Sequence, residues 1–296
     1  MYIGLSLSGG ASRGIYQLGA LHAAYSKNLL SSVKYFCGTS IGSIICLLLA
    51  IGYEPMDIFT YICINDISKV IDQVSLDLKG IVKNWGLIDI NIFKEYFRKL
   101  VILKWGGVPT FQELYNAGKI LICTSYKLKN TDPRVYFSYK THPNMSCLDA
   151  VLLSSNIPFL FRAVNYDGDY YIDGGIFDNN PAYYLQDYMK EDKIDFEKDG
   201  KIFACALDMR SINTPEESVI LNAFDYAKEI IMACFYSQSY TISSQHIDYC
   251  LLTTDSAEKI VLDVDNKMKI SWFCNGLEQG LNFFKDEGEI LIDKHI

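Results

Sequence analysis

Five residues near the start of the chain, Gly38 to Gly42, most constrain its fold, because they match the pattern G-x-S-x-G around Ser40. The run VKYFC before them is typical of a buried strand, and the run IGSIICLLLAIG after them is typical of a buried helix. A serine on a sharp strand-to-helix turn is the arrangement of a nucleophile elbow. The pattern alone also fits a serine N-cap between two turn glycines, but its context favours the elbow.

The first apolar strand leads into a loop of small residues, Ser8 to Gly14. Backbone amides in such a loop can approach a ligand oxygen closely, which suits a phosphate cradle or an oxyanion hole. A plain tight turn needs fewer small residues. The loop lacks the Lys-Ser/Thr ending of a P-loop, and Ala11 stands where the dinucleotide fingerprint has its second glycine. Because an elbow follows on the next strand, we favour the oxyanion hole.

A serine nucleophile needs a group that accepts its proton. Asp173 is the best candidate, because it follows a short strand and precedes two glycines, Gly174 and Gly175. The carboxyl ends of strands are where the sites of open α/β sheets lie. Without this context Asp-Gly-Gly also fits an ordinary turn. Of the four histidines only His246 suits a Ser–Asp–His triad. A histidine at the edge of a strand, without a catalytic role, is the better interpretation of its position.

Short apolar runs rich in β-forming residues alternate with helical patterns along the 296 residues, which predicts an α/β fold with a central, mostly parallel sheet flanked by helices. No linker divides the chain, so we predict a single domain over residues 1–296. Residues 54–109 have no strong strand pattern and are predicted to form a helical insertion or lid. The predicted strands are Tyr2–Leu7, Val33–Cys37, Lys119–Leu128, Arg134–Ser138, Tyr170–Ile172, Lys201–Asp208 and Ile247–Thr253. The predicted helices begin near Gly14, Ser40, Pro55, Ile90, Phe111, Cys147, Pro181, Glu217 and Asn275.

The composition excludes several classes of protein. A net charge of −8 argues against a nucleic-acid partner. Nine cysteines without a C-x-x-C pair argue against a disulfide framework and a zinc site, so we expect reduced thiols in a cytoplasmic protein without a metal or cofactor. The longest apolar run, residues 44–51, is too short for a transmembrane helix of about 20 residues. Residues 1–7 do not resemble a targeting signal.

Three segments together resemble the patatin-like phospholipase family. Residues 7–14, with residues 19–21 downstream, are similar to its glycine-rich oxyanion segment with an Arg-Gly ending, and residues 38–42 look like its elbow. Residues 154–181 resemble its Pro/Phe segment, its Asp-Gly-Gly motif and the Asn-x-Pro that follows. The elbow lies earlier than in the usual α/β-hydrolase order. The resemblance extends over residues 1–210.

The resemblance implies a three-layer patatin-like fold with a Ser40–Asp173 dyad that uses no histidine. It also implies an oxyanion hole made by the backbone amides of Gly9, Gly10 and Ala11. Ala11 departs from the family's third glycine and restricts φ, which leaves the geometry of that donor open. The residues that support these motifs are Arg13, Gly14, Gly38, Gly42, Gly174 and Gly175.

The implied function is a lipid acyl hydrolase of the phospholipase A or lysophospholipase type. It would cleave fatty acyl esters through an acyl-enzyme, without a metal, on a lipid or membrane-surface substrate, as a cytoplasmic protein that meets membranes peripherally. Arg13 would either tether the glycine loop or face a phosphate. Four apolar residues before the aspartate would either line a groove for the acyl chain or belong to ordinary core packing. They are Ile157, Phe159, Leu160 and Phe161.

Two alternatives stay open at this point. One is a Ser–Asp–His esterase that uses His246. The other is a catalytically silent patatin-like protein that binds lipid or regulates another protein, although a protein without catalysis has no chemical need for both Ser40 and Asp173. The lipid head group, the acyl position and the need for a protein activator cannot be read from these residues.

Overall fold

The computed structural model describes residues 1–65, 86–208, 223–236, 242–254 and 264–285. A sheet of eight strands lies at the centre of this part of the chain, and helices pack on both faces. The strands are β1 (Tyr2–Leu7), β2 (Tyr35–Gly38), β3 (Gly86–Ile88), β4 (Ile120–Lys127), β5 (Arg134–Phe137), β6 (Phe159–Phe161), β7 (Val164–Tyr166), β8 (Asp169–Asp173), β9 (Lys201–Leu207) and β10 (Ile247–Leu252). The α-helices are α1 (Gly14–Ser26), α2 (Ile41–Ala50), α3 (Pro55–Ile64), α4 (Asn91–Trp105), α5 (Phe111–Asn116), α6 (Cys147–Ser154), α7 (Ala182–Glu191), α8 (Phe196–Asp199), α9 (Ala223–Tyr236) and α10 (Asn266–Phe283).

Five strands of the central sheet run parallel in the order β10-β9-β1-β2-β4. Leu7 pairs with Gly38 on one side and with Cys205 on the other, so these strands end at the same edge. β8 pairs antiparallel with β4, β7 pairs antiparallel with β8, and β5 pairs antiparallel with β4. β3 and β6 form a separate two-stranded sheet. The predicted α/β class, with a mostly parallel sheet between helices, is confirmed.

The central strands are buried on both faces, as parallel strands covered by helices must be. All six residues of β1 are buried. Leu5 and Leu7, two residues apart, point to the same face and belong to the larger hydrophobic cluster, which also contains residues of α1, α2 and α10. Ile3 belongs to a smaller cluster with residues of α7, because the pairing of β1 with β9 is irregular between Tyr2 and Gly4 and the alternation is broken there. The site at the strand ends is therefore supported by packed layers on both sides.

The sequence predicts these elements well where the patterns are long. All seven predicted strands are present, with ends that differ by at most two residues, and seven predicted helix starts lie within one residue of the observed ones. The predicted start at Glu217 lies outside the described residues. The predicted start at Asn275 is wrong, because α10 begins nine residues earlier, at Asn266, where Asp265 caps the helix by accepting a hydrogen bond from the Met268 N–H at 2.7 Å.

The sequence does not predict the three shortest strands, β3, β6 and β7, each of three residues. Segments this short show no periodic pattern. β3 and β6 pair with each other although they lie far apart along the chain, whereas β7 pairs with the adjacent β8 across Asp167 and Gly168. In the predicted insertion, residues 54–109, the described residues form α3, β3 and α4. The strand β3 pairs with β6, so the described part of this segment is not wholly helical. A lid role for the segment stays a prediction.

Two glycines let α1 and α10 touch backbone to backbone. A Cβ atom on Gly276 would lie 2.0 Å from the carbonyl oxygen of Tyr16, and one on Gly19 would lie 2.2 Å from that of Phe273. Beside this contact the rings of Tyr16 and Trp272 stack with their centroids 5.5 Å apart. Because α1 directly follows the glycine loop, this contact holds the loop's supporting helix in place.

We expect Gly276→Ala to lower the free energy of unfolding by about 1–3 kcal/mol, the usual cost of overpacking, because two helix backbones must move apart. Urea unfolding followed by circular dichroism measures the change. Gly107→Ala is the control, since a Cβ atom there meets nothing within 4 Å, and we expect a change within about 0.5 kcal/mol. Equal stability of the two variants would contradict the close packing.

Candidate active site

Ser40 occupies the turn between the end of β2 and the start of α2. Its backbone has φ 54° and ψ −128°, a conformation that few non-glycine residues adopt and that costs about 1–3 kcal/mol. Neighbouring groups hold it there. The Ser40 N–H donates a 2.9 Å hydrogen bond to Ser154 Oγ at the end of α6. The Thr39 N–H donates a 3.1 Å hydrogen bond to Leu7 O at the end of β1. The structure thus places the serine on the turn that the sequence predicts.

The glycines of the elbow are required by close backbone contacts. A Cβ atom on Gly38 would lie 2.5 Å from Ser43 N, inside the first turn of α2. One on Gly42 would lie 2.5 Å from Leu7 O, on β1. Backbone atoms cannot yield as a flexible side-chain end can, so larger residues would push α2 away from the sheet. Both glycines therefore set the position of Ser40.

Asp173 ends β8 and is fully buried. The sequence predicts this strand end, but the strand is antiparallel: Asp173 pairs with Ser125 on β4, two residues beyond Cys123, which pairs with Gly38. Because β4 pairs with both β2 and β8, Ser40, which follows β2, and Asp173 lie at the same edge of the sheet. Asp173 Oδ1 accepts a 2.8 Å hydrogen bond from the Gly175 N–H. Its Oδ2 has no hydrogen-bond partner among the described residues.

Burial raises the pKa of Asp173 to about 7, because the charged carboxylate is poorly solvated there. The Ser40 hydroxyl and the Gly175 N–H act in the opposite direction and favour the ionised form. A carboxyl with this pKa is poised between its protonated and ionised forms near neutral pH. This is the property that a general base needs.

The turn after Asp173 lies directly against neighbouring residues. A Cβ atom on Gly174 would lie 2.3 Å from Thr124 Oγ1 and 2.7 Å from Thr124 O. One on Gly175 would lie 2.3 Å from a ring atom of Phe235 and 3.0 Å from Asp173 Oδ1. The two glycines of the predicted motif thus let the turn approach β4 and α9 while the second one donates to the carboxylate.

The glycine loop follows β1 and faces the same point. The Gly9 N–H is already engaged, since it donates a 3.1 Å hydrogen bond to Asn179 O. The amides of Gly10 and Ala11 donate to no other group in the part of the chain that the structure describes. Ala11 has φ 51°, in the left-handed region that a glycine adopts more easily. Alanine at this position therefore keeps the glycine-like backbone conformation at some cost.

Arg13 and Gly14 lie where the glycine loop meets the start of α1. The Arg13 side chain is buried, with 2% of its surface exposed. A side chain that tethers the loop within the protein must be buried in this way. A side chain that contacts a phosphate at the surface need not be. A Cβ atom on Gly14 would lie 2.6 Å from a side-chain carbon of Ile41, so the glycine lets α1 start against the first residue of α2. These two positions therefore fix the loop relative to the elbow.

Two cavities meet at Ser40. One, of about 20 Å³, is lined by the glycine loop, Ser40, Asp173 and Asn179. The other, of about 130 Å³, is mostly apolar, and among its lining residues are Ile15, Leu18, Ile45, Phe93 and Phe97. Of the four apolar residues predicted for an acyl groove, Ile157 and Phe161 line the larger cavity, whereas Phe159 is 39% exposed and Leu160 is half-buried. Ser40 thus lies between a small cavity that the Asp173 and Asn179 side chains help to line and a larger apolar one.

His246 does not belong to this site. It precedes β10 at the amino-terminal end of the parallel strands, where its carbonyl oxygen accepts a hydrogen bond from the Ile202 N–H. Its ring stacks on Phe196, with the centroids 4.7 Å apart. Ser40 follows the opposite, carboxyl end of β2, and no histidine lines either cavity at Ser40 within the described residues. The triad that the sequence left open is therefore not assembled.

The structure adds three residues to which the sequence assigned no role. Ser154 anchors the elbow, Phe235 packs against the Asp173 turn, and Asn179 lines the small cavity with 1% of its surface exposed. Asn179 opens the Asn-Asn-Pro that follows Asp-Gly-Gly, which was the one signal for it in the sequence. Ser154 begins the segment that resembles the family's Pro/Phe segment, without a sign of its contact with the elbow, and Phe235 carries no signal, because both contacts come from the tertiary structure.

The described residues show two further properties. No group of three or more His, Cys, Asp and Glu side chains is placed to hold a metal ion. No single helix in this part of the chain is long and apolar enough to cross a membrane. Helices α2 and α3 together have the necessary length and apolar composition, but the chain bends by 119° between them.

The fold defines an α/β protein with a serine on a strand-to-helix turn, and comparison with known proteins places it more closely. The family model of the patatin-like phospholipases matches residues 5–185. The chain therefore belongs to the patatin-like phospholipase family. It is 37% identical over 183 residues to "Probable lipid hydrolase 463L" of Invertebrate iridescent virus 6, which covers 61% of this chain and 62% of that protein. The chain thus matches less than two thirds of that relative's length.

Solved structures show the same fold at low sequence identity. VipD from Legionella pneumophila matches with a TM-score of 0.54 and 15% identity over 96% of this chain and 67% of that one. A chain of the heterodimeric ExoU–SpcU complex from Pseudomonas aeruginosa matches with a TM-score of 0.52 and 17% identity over 96% of this chain and 51% of that one. At this identity the similarity is one of fold.

The buried Asp173 carboxyl makes stability depend on pH. Because its folded pKa is raised from 3.8 to about 7, the native state holds a proton that the unfolded state releases between these values, so stability falls as pH rises through this window. The difference in free energy of unfolding between Asp173→Asn and the wild type should therefore change with pH. We expect it to shift in favour of the variant by on the order of 4 kcal/mol from pH 4 to pH 8. Urea unfolding at both pH values measures the gain, and equal pH dependence of both proteins would contradict it.

Proposed function

We propose that this chain is a lipid acyl hydrolase that cleaves fatty acyl esters through a Ser40–Asp173 dyad. The observation that carries the proposal is the position of Ser40, on a strained elbow beside a fully buried carboxyl of pKa about 7. Membership of the patatin-like phospholipase family and the similarity to a relative named as a probable lipid hydrolase support the same conclusion.

In the acylation step Ser40 Oγ attacks the carbonyl carbon of the ester while Asp173 accepts the hydroxyl proton. The oxyanion that forms accepts hydrogen bonds from the amides of Gly10 and Ala11, while the Gly9 amide holds the loop through Asn179 O. The bond from the carbonyl carbon to the leaving oxygen then breaks, and Asp173 returns its proton to the leaving alcohol. The product is an acyl group on Ser40 Oγ.

The apolar cavity of about 130 Å³ beside Ser40 suits the acyl chain of the substrate. Its lining favours a fatty acyl ester over a short polar ester, because burial of each CH₂ contributes about 0.8 kcal/mol. The mechanism uses no metal, since Asp173 supplies the base and the loop amides supply the electrostatic stabilisation. Phospholipase A and lysophospholipase activity at a membrane surface, in a cytoplasmic single-domain protein, belong to this proposal.

A fluorophosphonate probe tests the nucleophile. We expect the wild type to be labelled and Ser40→Ala not to be labelled, because the probe reacts with an activated serine. Asp173→Asn should react about 10²–10⁴ times more slowly, the usual effect of losing a general base. His246→Ala is the matched control and should react like the wild type, since this residue lies at the opposite end of the sheet.

Other outcomes of the labelling would change the proposal. A folded wild type that stays unlabelled would favour a lipid-binding protein without catalysis. Loss of labelling in His246→Ala would restore the triad that the geometry argues against.

The pKa of Asp173 predicts the pH dependence of the reaction. The base must be ionised to accept a proton, so kcat/KM for a soluble ester should rise about tenfold per pH unit below pH 7 and level off above it. Initial rates between pH 5 and pH 9 give the profile. A plateau that already begins at pH 5 would show that a carboxyl of ordinary pKa, or no carboxyl, limits the rate.

A further inference from the structure

The small cavity beside Ser40 has the size of one water molecule. Its volume is about 20 Å³, and one water needs about 10–15 Å³ by this measure, together with two to four polar partners. Asp173 and Asn179 contribute polar side chains to its wall, and Ile157 and Phe235 contribute apolar ones. The cavity therefore has the volume and the polar side chains that one bound water needs.

Two acceptor oxygens lie at this cavity. Asp173 Oδ2 is buried and accepts no hydrogen bond within the described residues, while Oδ1 is fixed by the Gly175 N–H. Asn179 Oδ1 lies between the glycine loop and the Asp173 turn, 2.5 Å from where a Cβ atom on Gly9 would be and 2.8 Å from one on Gly175.

The orientation of the Asn179 amide follows from its other contact. Its Nδ2 faces the carbonyl oxygen of Gly9, at 3.5 Å, and only the amide nitrogen can donate to a carbonyl. Its backbone oxygen also accepts the Gly9 N–H. Asn179 is thus held on both sides, with its side-chain oxygen directed away from Gly9 O.

We propose that this cavity holds the water that hydrolyses the acyl-enzyme, oriented by Asp173 Oδ2 and Asn179 Oδ1. A water has two O–H groups, and two acceptors fix the direction of its oxygen lone pair. The inference rests on the proposed function, because it needs an acyl group on Ser40. It assigns to Asn179 the role of a water-positioning residue.

The water oxygen attacks the acyl carbonyl carbon, and one water proton passes to Asp173 Oδ2 while the second O–H remains bonded to Asn179 Oδ1. The bond between the carbonyl carbon and Ser40 Oγ then breaks, and Asp173 returns its proton to Ser40 Oγ. The free fatty acid leaves and the dyad is restored.

The two cavities keep the acyl chain and the water apart. Ala11, Ser40 and Ile157 border both of them. With an acyl chain in the apolar cavity, the carbonyl oxygen faces the amides of Gly10 and Ala11, and the side of the small cavity at Asp173 and Asn179 is left for a water at the carbonyl carbon. Asn179 is therefore needed for deacylation but not for acylation, in which the Ser40 proton passes directly to Asp173.

The test compares the two half-reactions in Asn179→Leu, which keeps the side-chain size but removes the acceptor. With a p-nitrophenyl fatty acyl ester, stopped-flow absorbance separates the first release of nitrophenol from steady turnover, and intact-protein mass spectrometry detects the acyl-enzyme. We expect deacylation to fall about 10–100-fold, the usual effect of a misplaced reactant. Acylation and fluorophosphonate labelling should change less than about threefold, so that the acyl-enzyme accumulates.

Two further variants complete the design. Asn179→Asp keeps an acceptor oxygen and should deacylate at least about tenfold faster than Asn179→Leu. Asn180→Ala changes the same residue type next in the chain, outside the cavity, and should behave like the wild type. Labelling by the probe shows that each variant is folded around Ser40.

The outcomes separate the inference from the proposed function. A parallel loss of acylation and deacylation in Asn179→Leu, without accumulated acyl-enzyme, would overturn the water-positioning role while the dyad stands. A wild type that neither reacts with the probe nor cleaves the ester would overturn the dyad and this inference together.

Discussion

The close contact between α2 and the end of β1 is the constraint on which the rest of the site depends. Gly42 lies against the carbonyl of Leu7, and Thr39 donates to the same carbonyl. These contacts keep Ser40 in a backbone conformation that an isolated turn would avoid. The glycine loop begins at the next residue after β1, so the same contact sets its distance from the serine. Ser40 and the loop amides are therefore positioned by the same backbone contact.

Low solvation raises the pKa of Asp173, and it also lowers the stability of the fold when the carboxyl is ionised. The carboxyl is buried by a turn that two glycines press against β4 and α9, and this burial raises its pKa to about 7. A better solvated aspartate would be a weaker base at neutral pH and would disturb the fold less. The hydrogen bond from the Gly175 N–H orients the group, and together with the Ser40 hydroxyl it favours the ionised form without returning the pKa to its usual range. The fold thus retains a destabilising charge at the position where the proposed chemistry uses it.

The sequence predicts the features that depend on local rules. Ser40 and Asp173 are recognisable because turns beside strands and helices need glycines at fixed offsets, and the long strands are recognisable from their apolar runs. The sequence does not predict that β8 is antiparallel, that the Gly9 amide is bonded to Asn179, or that Phe235 reaches the site. Each of these depends on pairing between segments 25 or more residues apart, which leaves no local pattern. The start of α10 was misplaced because its first turn is polar and its signal is a single capping aspartate, Asp265.

The backbone contact between α1 and α10 joins the end of the described chain to its beginning. The family model ends at residue 185, yet Gly276 touches the helix that carries the glycine loop. β9 and β10, which also follow residue 185, complete the sheet beside β1. A fragment that ended at residue 185 would keep Ser40 and Asp173 but would expose one edge of β1 and the inner face of α1 to water. Residues that take no part in the proposed chemistry thus cover the strand and the helix between which the glycine loop is held.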